Sequence, residues 1–207
     1  LCAPLSGAMR PELFEGGYIQ ADETPIWVQS PRKKGKNHQA YLFEYSRPDG
    51  PVIFDFSLGR SREGPEVMLK GFEGILQTDG YSAYLKFSTD KITRVGCMAH
   101  IRRKFDEAYK AEKKHPLALE VLGMIRELYA VEKQAREKEL SHEQRLKLRQ
   151  SQSAPVMEKL KARITEIRLK PTVLPKSQLG KACNYALGQW EAIKHYLNNG
   201  HVEIDNN

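Results

Sequence analysis

The apolar residues of this chain change period near Cys97. Before it, short runs of β-branched and aromatic residues are separated by turn signals, as in Val52–Ile53–Phe54–Asp55–Phe56. After it, apolar residues recur at steps of three and four, as in Leu122, Ile125, Leu128 and Tyr129. Period two favours strands and period 3.6 favours helices. The reading is therefore an α/β segment over about the first hundred residues, followed by an all-α segment.

In the first segment, Tyr18 to Gln29 favours a strand through Tyr18, Ile19, Ile26, Trp27 and Val28. Pro25 lies within it and implies a bulge or an edge. A second strand covers Gln39 to Tyr45 and a third Val52 to Leu58, joined by the turn sequence Arg47-Pro48-Asp49-Gly50. These three make an antiparallel meander. Glu63-Gly64-Pro65-Glu66 opens a short helix to about Leu69, with the proline near its first turn. Gly74 to Thr78 is a fourth strand, Tyr81 to Leu85 a short helix, and Lys91 to Cys97 a fifth strand. Leu1 to Gly16, with Pro4, Pro11 and the pair Gly16-Gly17, reads as an irregular linker from an upstream region. The expected domains are a linker over 1–16, a core over 17–97, a helical insertion over 98–200 and the start of a truncated C-terminal core segment over 201–207.

The helical part begins with Met98 to Lys114 and is broken at His115-Pro116. It resumes over Leu117 to Leu140, with a fresh start at Ser141-His142-Glu143. Pro155 should end or kink the helix it lies in. Val156 to Leu169 is helical again, and Pro171 and Pro175 mark a loop. A last helix spans Gln178 to Leu197 and stops at Asn198-Asn199-Gly200.

Charge is unevenly placed. The net charge is +7, and Cys97 to Lys170 holds 18 Lys and Arg against 11 Asp and Glu, which is the whole excess. A locally concentrated basic excess suits either a polyanion partner or a solvated helical face. Three widely spaced cysteines, Cys2, Cys97 and Cys183, argue against a disulfide framework and for a reducing compartment, the cytoplasm. No stretch approaches the roughly 20 apolar residues of a membrane span, so no membrane partner is expected.

Two of the strands end on carboxylates, in Ala21-Asp22-Glu23-Thr24-Pro25 and Thr78-Asp79-Gly80-Tyr81. A carboxylate at the end of a buried strand is costly unless something pairs with it or binds it. The order β-β-β-α-β-α-β, with acids on the first and fourth strands, is similar to the ribonuclease H-like pattern, in which those strands are neighbours. Two carboxylates brought together there need a proton or a divalent cation between them. Such a pair supports two-metal phosphodiester cleavage. The bland alternative is a strand-end cap for Asp22 and an Asp-Gly turn for Asp79.

Several blocks together resemble the insertion sequence 66 family of bacterial DDE transposases. They are Ala21-Asp22-Glu23-Thr24-Pro25, Thr78-Asp79-Gly80-Tyr81-Ser82-Ala83-Tyr84, Gly96-Cys97-Met98-Ala99-His100-Ile101-Arg102-Arg103-Lys104-Phe105, Leu128-Tyr129 and Asn199-Gly200-His201-Val202-Glu203-Ile204-Asp205-Asn206-Asn207. The resemblance implies a ribonuclease H-like mixed five-stranded sheet, with a three-strand meander plus two parallel strands and a large all-α insertion after the fifth strand. It implies DNA cleavage and strand transfer at insertion-sequence ends. Asp22 and Asp79 would be catalytic acids and metal ligands for Mg²⁺ or Mn²⁺, with two ions in the complete site. Partners would be double-stranded DNA, as transposon ends and target, and further copies of the chain. In the family a glutamate comes three residues after the Asp-Asn-Asn block; that position is not in this sequence, so the fragment alone is expected to lack its third acid and to be inactive. Glu203 and Asp205 are the nearby carboxylates, and neither is assigned that role. The alternatives are a ribonuclease H-like nuclease without strand transfer and a non-catalytic DNA-binding remnant.

The remaining candidates carry weaker signals. Cys97 and His100 form a Cys-x-x-His pair that would need about two further ligands for structural zinc. By resemblance, His100 is a possible active-site neighbour; a packed histidine at a helix start is the alternative. Arg102, Arg103 and Lys104, and the loop residues Arg32, Lys33 and Lys34, are candidate DNA phosphate contacts. Charge runs on helices are usually solvated faces, so Arg145, Lys147 and Arg149 are assigned no role. Trp27 and Trp190 could stack on bases, but core packing is expected of both.

Overall fold

A computed structural model of the chain describes residues 3–29, 35–61, 63–111 and 115–206. Contacts divide it into a first unit up to Arg94, joined by Asn206, and a second unit, Val95–Asp205.

The first unit is built on a mixed sheet. Its strands are β1 (Tyr18–Gln29), β2 (Asn37–Ser46), β3 (Val52–Ser57), β4 (Gly74–Thr78) and β5 (Ile92–Gly96), in the order β3-β2-β1-β4-β5. β1 pairs with β2 and β2 with β3 antiparallel, which is the expected meander. β1 and β4 run parallel, with Tyr18 opposite Ile75 and Gln20 opposite Gln77. At the start of this pairing, Gly74 has φ 139°, and a Cβ there would collide with the Gly17 carbonyl oxygen. Only a glycine lets the two backbones approach so closely.

Alternation decides what each face buries. Ile19 and Ala21 of β1, Phe43 and Tyr45 of β2, Ile53 of β3 and Leu76 of β4 form one apolar cluster. Helix α1 (Ala3–Phe14) adds Leu13, α2 (Glu63–Met68) is followed by Leu69 and Phe72, and α3 (Ser82–Leu85) adds Tyr84. The residues of opposite parity on β3, Val52, Phe54 and Phe56, are exposed.

Two expectations need correction here, and a third holds in one of its two forms. Residues 3–14 are a helix rather than an irregular linker, even with Pro11 inside it. Leu13 is fully buried, and Met9 and Phe14 pack against the same cluster, so burial outweighs the weak local propensity. Pro25 makes no bulge: it pairs with Tyr41 in an unbroken β1–β2 register. It does lie on an edge, because the β4 pairing covers only Tyr18 to Gln20 and asks no N–H of Pro25. Trp27 is 70 % exposed rather than packed, being beyond that shared stretch; Trp190 is buried as expected.

The second unit is helical after the end of β5. It contains α4 (Met98–Ala111), α5 (Pro116–Glu137), α6 (His142–Leu148), α7 (Ala154–Leu169), α8 (Gln178–Gly188) and α9 (Trp190–Lys194). Ser141 and Gln144 form a reciprocal capping box at the start of α6, which is the start signal read at that serine. Ahead of Pro155 the helix widens into a π turn over Arg149–Ser153 and then continues as α7. The wider turn accommodates a proline that a regular helix would not. The helix expected over Gln178 to Leu197 is interrupted at Gln189, directly after Gly188. No helix of the described residues is long and apolar enough to cross a membrane.

Candidate active site

Within the first unit, Asp79 directly follows the end of β4, whereas Asp22 lies inside β1, which runs on to Gln29 rather than ending at the acid as expected. Gln20 and Gln77 are opposite one another, and Gln20 Nε2 donates to Gln77 Oε1 at 3.0 Å. Tyr18 OH donates to the same Gln77 oxygen. These polar side chains share one face of the sheet. Asp22 comes two residues after the last β1–β4 pair, Gln20 and Gln77, along β1, and Asp79 two residues after it, just past the end of β4. Asp22 and Asp79 both act electrostatically on Glu23 and on Tyr84.

Both carboxylates are fixed by local backbone. The Glu23 N–H donates to Asp22 Oδ1 at 2.8 Å. The Tyr81 N–H donates to Asp79 Oδ1 at 2.8 Å, closing the Asp-Gly turn after β4. Arg94 Nη1 donates to the Asp79 carbonyl at 3.2 Å. The Asn206 side chain donates to the Ala21 carbonyl at 3.0 Å, so Asn206 reaches the backbone next to Asp22.

The structure adds a third acid and a cation. Glu23 comes directly after Asp22 but points to the opposite side of the strand, on the parity of Ile19 and Ala21, and its side chain is only 2 % exposed. Arg60 Nε donates to Glu23 Oε1 at 2.9 Å, and Arg60 Nη2 bonds the same oxygen. Arg60 Nη2 also lies 4.0 Å from Asp79 Oδ2. The guanidinium stacks 3.8 Å over the Tyr81 ring, whose hydroxyl donates to the Arg60 carbonyl. Burial pushes the Glu23 carboxyl up to about 7, with Asp79 and Asp22 adding to the rise and Arg60 opposing it. Tyr84, buried nearby, is pushed well above the ordinary phenol range by burial and by this cluster of negative charge.

Glu23 had a signal in sequence: an acid at the parity of core residues. Arg60 had none, because it sits in the irregular stretch after β3 and is brought to the site only by the fold.

The donor set at Asp22 and Asp79 consists of carboxylate oxygens, which suits Mg²⁺ or Mn²⁺. Among the described residues, no group of three or more His, Cys, Asp and Glu side chains is disposed to hold a metal.

The other candidates divide. His100, Arg102, Arg103 and Lys104 are on α4, in the second unit; Arg102 and Arg103 are exposed, and Lys104 pairs with Glu107 at 3.1 Å. Cys97 and Cys183 are buried free thiols. Arg32, Lys33 and Lys34 lie outside the described residues.

Arg145 and Arg149 correct the expectation of a solvated face. Both grip Glu132, with Arg145 Nη2 at 2.7 Å and Arg149 Nη2 at 2.8 Å from its Oε2. Arg149 and Glu132 are fully buried. Arg149 Nη1 also donates to the carbonyls of Tyr196 and Asn199, at 3.0 and 2.7 Å. Glu203 joins through Arg145 Nη1 at 2.7 Å, and Asp205 accepts from Tyr129 OH at 2.7 Å. Burial would raise the Glu203 carboxyl, but the Arg145 bonds and charge outweigh it and hold it low. Only Lys147 of the three remains on the surface, paired with Glu143.

Among known proteins, the family model described as the IS66 family of transposases matches residues 1–207. Three proteins of Sinorhizobium fredii (strain NBRC 101917 / NGR234) are similar to the chain. The uncharacterized protein y4jD is 37 % identical over 168 residues, covering 77 % of this chain and 32 % of the relative. The uncharacterized protein y4qI is 34 % identical over 211 residues, covering 93 % and 38 %. The uncharacterized protein y4hP is 28 % identical over 228 residues, covering 99 % and 40 %. The chain therefore spans about a third to two fifths of the length of these curated relatives.

Proposed function

Since this chain belongs to the IS66 family of transposases, we propose that its first unit carries the catalytic acids of a DDE-type DNA transposase. The observation that supports this reading is the parallel β1–β4 pairing, whose last pair, Gln20 and Gln77, comes two residues before Asp22 on one side and Asp79 on the other. The strand order β3-β2-β1-β4-β5 supports reading the sheet as ribonuclease H-like, with the helices after β5 as an insertion.

Asp22 and Asp79 would hold Mg²⁺ or Mn²⁺, two ions in the complete site. Held there, such ions would supply positive charge to the oxygens of a phosphodiester under attack. The chain's own residues supply position. The Glu23 and Tyr81 N–H groups hold Asp22 Oδ1 and Asp79 Oδ1 and so orient the two carboxylates. Arg60 offsets the negative charge of Glu23 and Asp79. Asn206 ties its own segment to the Asp22 strand.

The substrates would be transposon ends and target, both double-stranded DNA, joined by strand transfer in an assembly of several copies. Arg102 and Arg103 are suited to phosphate contact, being exposed on α4 without a carboxylate partner among the described residues. Lys104 is less so, because Glu107 already pairs with it.

The test is Asp79→Asn in the full-length protein, with cleavage and joining of labelled insertion-sequence ends measured alongside DNA binding. Cleavage should fall by at least about 10³-fold with binding within about twofold, because only the electrostatic stabilisation of the transition state is removed. Retained cleavage overturns the assignment. Hydrolysis by the unaltered protein without joining replaces transposition with simple nuclease action.

A further inference from the structure

The face of α4 that carries Ala99, Arg102, Arg103 and Asp106 meets the face of α5 that carries Leu122, Arg126 and Tyr129. Both sets follow steps of three and four, so each is one stripe of its helix. Between them is an open cleft of about 400 Å³.

Its arginines have no ion-pair partner among the described residues. Elsewhere in this unit arginines grip carboxylates: Arg145 and Arg149 hold Glu132, and Arg163 holds Glu120. Arg102, Arg103 and Arg126 form no ion pair with any described carboxylate. Asp106, the one acid among the lining residues, is taken by Lys110 at 2.6 Å. Three guanidiniums around one cleft repel one another, and a bound anion relieves that repulsion.

Its floor and wall are not charged. Ala99 is buried, Leu122 is half-buried, and the Tyr129 ring is held in place by its hydroxyl bond to Asp205. Arg102 Cζ sits 5.6 Å from that ring's centroid. The volume lies within the range of about 300–1,000 Å³ for small-molecule pockets, and a lone phosphate would leave most of it empty. A planar apolar group attached to an anion fills it better. In a polymer that combination is a nucleotide, with base–aromatic stacking and an arginine-bound phosphate.

We propose that the α4–α5 cleft is a nucleotide pocket, seating one unstacked nucleotide of an unpaired DNA strand. Its phosphate is bound by Arg102, Arg103 and Arg126, and its base lies against Leu122 and Tyr129. The inference rests on the reading of the chain as a DNA-handling protein and adds to it the form of DNA that this unit selects.

The test uses the 207-residue chain in EDTA, with fluorescence anisotropy of a labelled single-stranded oligonucleotide and of a duplex of equal length. 2-Aminopurine in the single strand reports base environment. Leu122→Trp fills the cleft and removes no charge. It should weaken single-strand binding about tenfold and abolish the 2-aminopurine change, while duplex binding stays within about twofold. Arg126→Ala should weaken single-strand binding about fivefold and reduce the slope of log K against log salt by about 0.7. Circular dichroism melting verifies folding, and Leu122→Phe serves if the tryptophan variant does not fold. A Leu122 variant that binds both DNAs like the unaltered chain overturns the pocket, as does an unaltered chain that binds no single strand. Because the readout is taken without metal, the two readings fail separately. Strand binding through the cleft with no cleavage by the full-length protein sinks the catalytic reading alone. Cleavage with a cleft indifferent to these substitutions sinks this one alone.

Discussion

The Arg60 guanidinium holds the buried Glu23 carboxylate, with Nε 2.9 Å from Oε1, while its Nη2 lies 4.0 Å from Asp79 Oδ2. One cation from an irregular segment thus offsets two acids at the end of the sheet. Removing it leaves Glu23 buried without its partner. Arg60→Ala should destabilise the protein by about 1–3 kcal/mol, the range for an unsatisfied buried polar group. The double variant with Glu23→Gln should recover part of that loss in urea unfolding. Additive losses would show that the two side chains are not coupled.

Arg60 also opposes a cation at Asp79. With Arg60→Ala, Mn²⁺ binding measured by electron paramagnetic resonance should tighten severalfold, since one competing positive charge near Asp79 is gone. Weaker binding would mean that Arg60 orients the carboxylate rather than competing for it.

The buried pair Arg149–Glu132 predicts a large effect in the second unit. Arg149→Ala should cost about 3–5 kcal/mol, because Glu132 is left charged with its main partner removed. Arg149→Lys should not restore stability, since an ammonium cannot replace the forked bonds to Glu132 and to two carbonyls. Thermal melts of both variants decide the matter.

Glu203 predicts the direction of an acid effect. Its folded-state pKa is held below the ordinary carboxylate value by Arg145, against the opposing effect of burial. A depressed acid contributes stability that is present above its unfolded pKa and lost as pH falls through the folded one. Melting temperature should therefore drop with acid below about pH 4, and Glu203→Gln should make that drop shallower. An unchanged pH profile would show that the Arg145 contact carries no linkage.

Gly74 tests the strand pairing that aligns the acids. Gly74→Ala should destabilise the protein by more than about 1 kcal/mol, because φ 139° is denied to alanine and its Cβ meets the Gly17 carbonyl. A neutral effect in urea titrations would mean the two strands can separate there without cost.

Much of the local structure was readable from period and punctuation. The three-strand meander, the strand ending at Asp79, the start at Ser141 and the stop at Asn198-Asn199 come from alternation, turn residues and caps, all of which act within a few residues. The end of β4 at Asp79 was readable for the same reason, whereas β1 runs through Asp22 to Gln29, because its pairing with β2 continues there. The α1 helix was not, because its local signals are poor and the burial of Leu13 by distant residues decides it. Arg145 and Arg149 misled for a related reason: on a helix, an arginine facing solvent and one facing a buried glutamate have the same spacing.

By itself the sequence determined the five strands and most of the helices, since these depend on neighbours along the chain. Only the tertiary structure decided that Arg60 meets Glu23 and Asp79, and that Arg149 closes on Glu132. It also decided that Arg102, Arg103 and Arg126 share one cleft. Charged side chains find partners through space, and the low dielectric of a folded interior makes those partners matter.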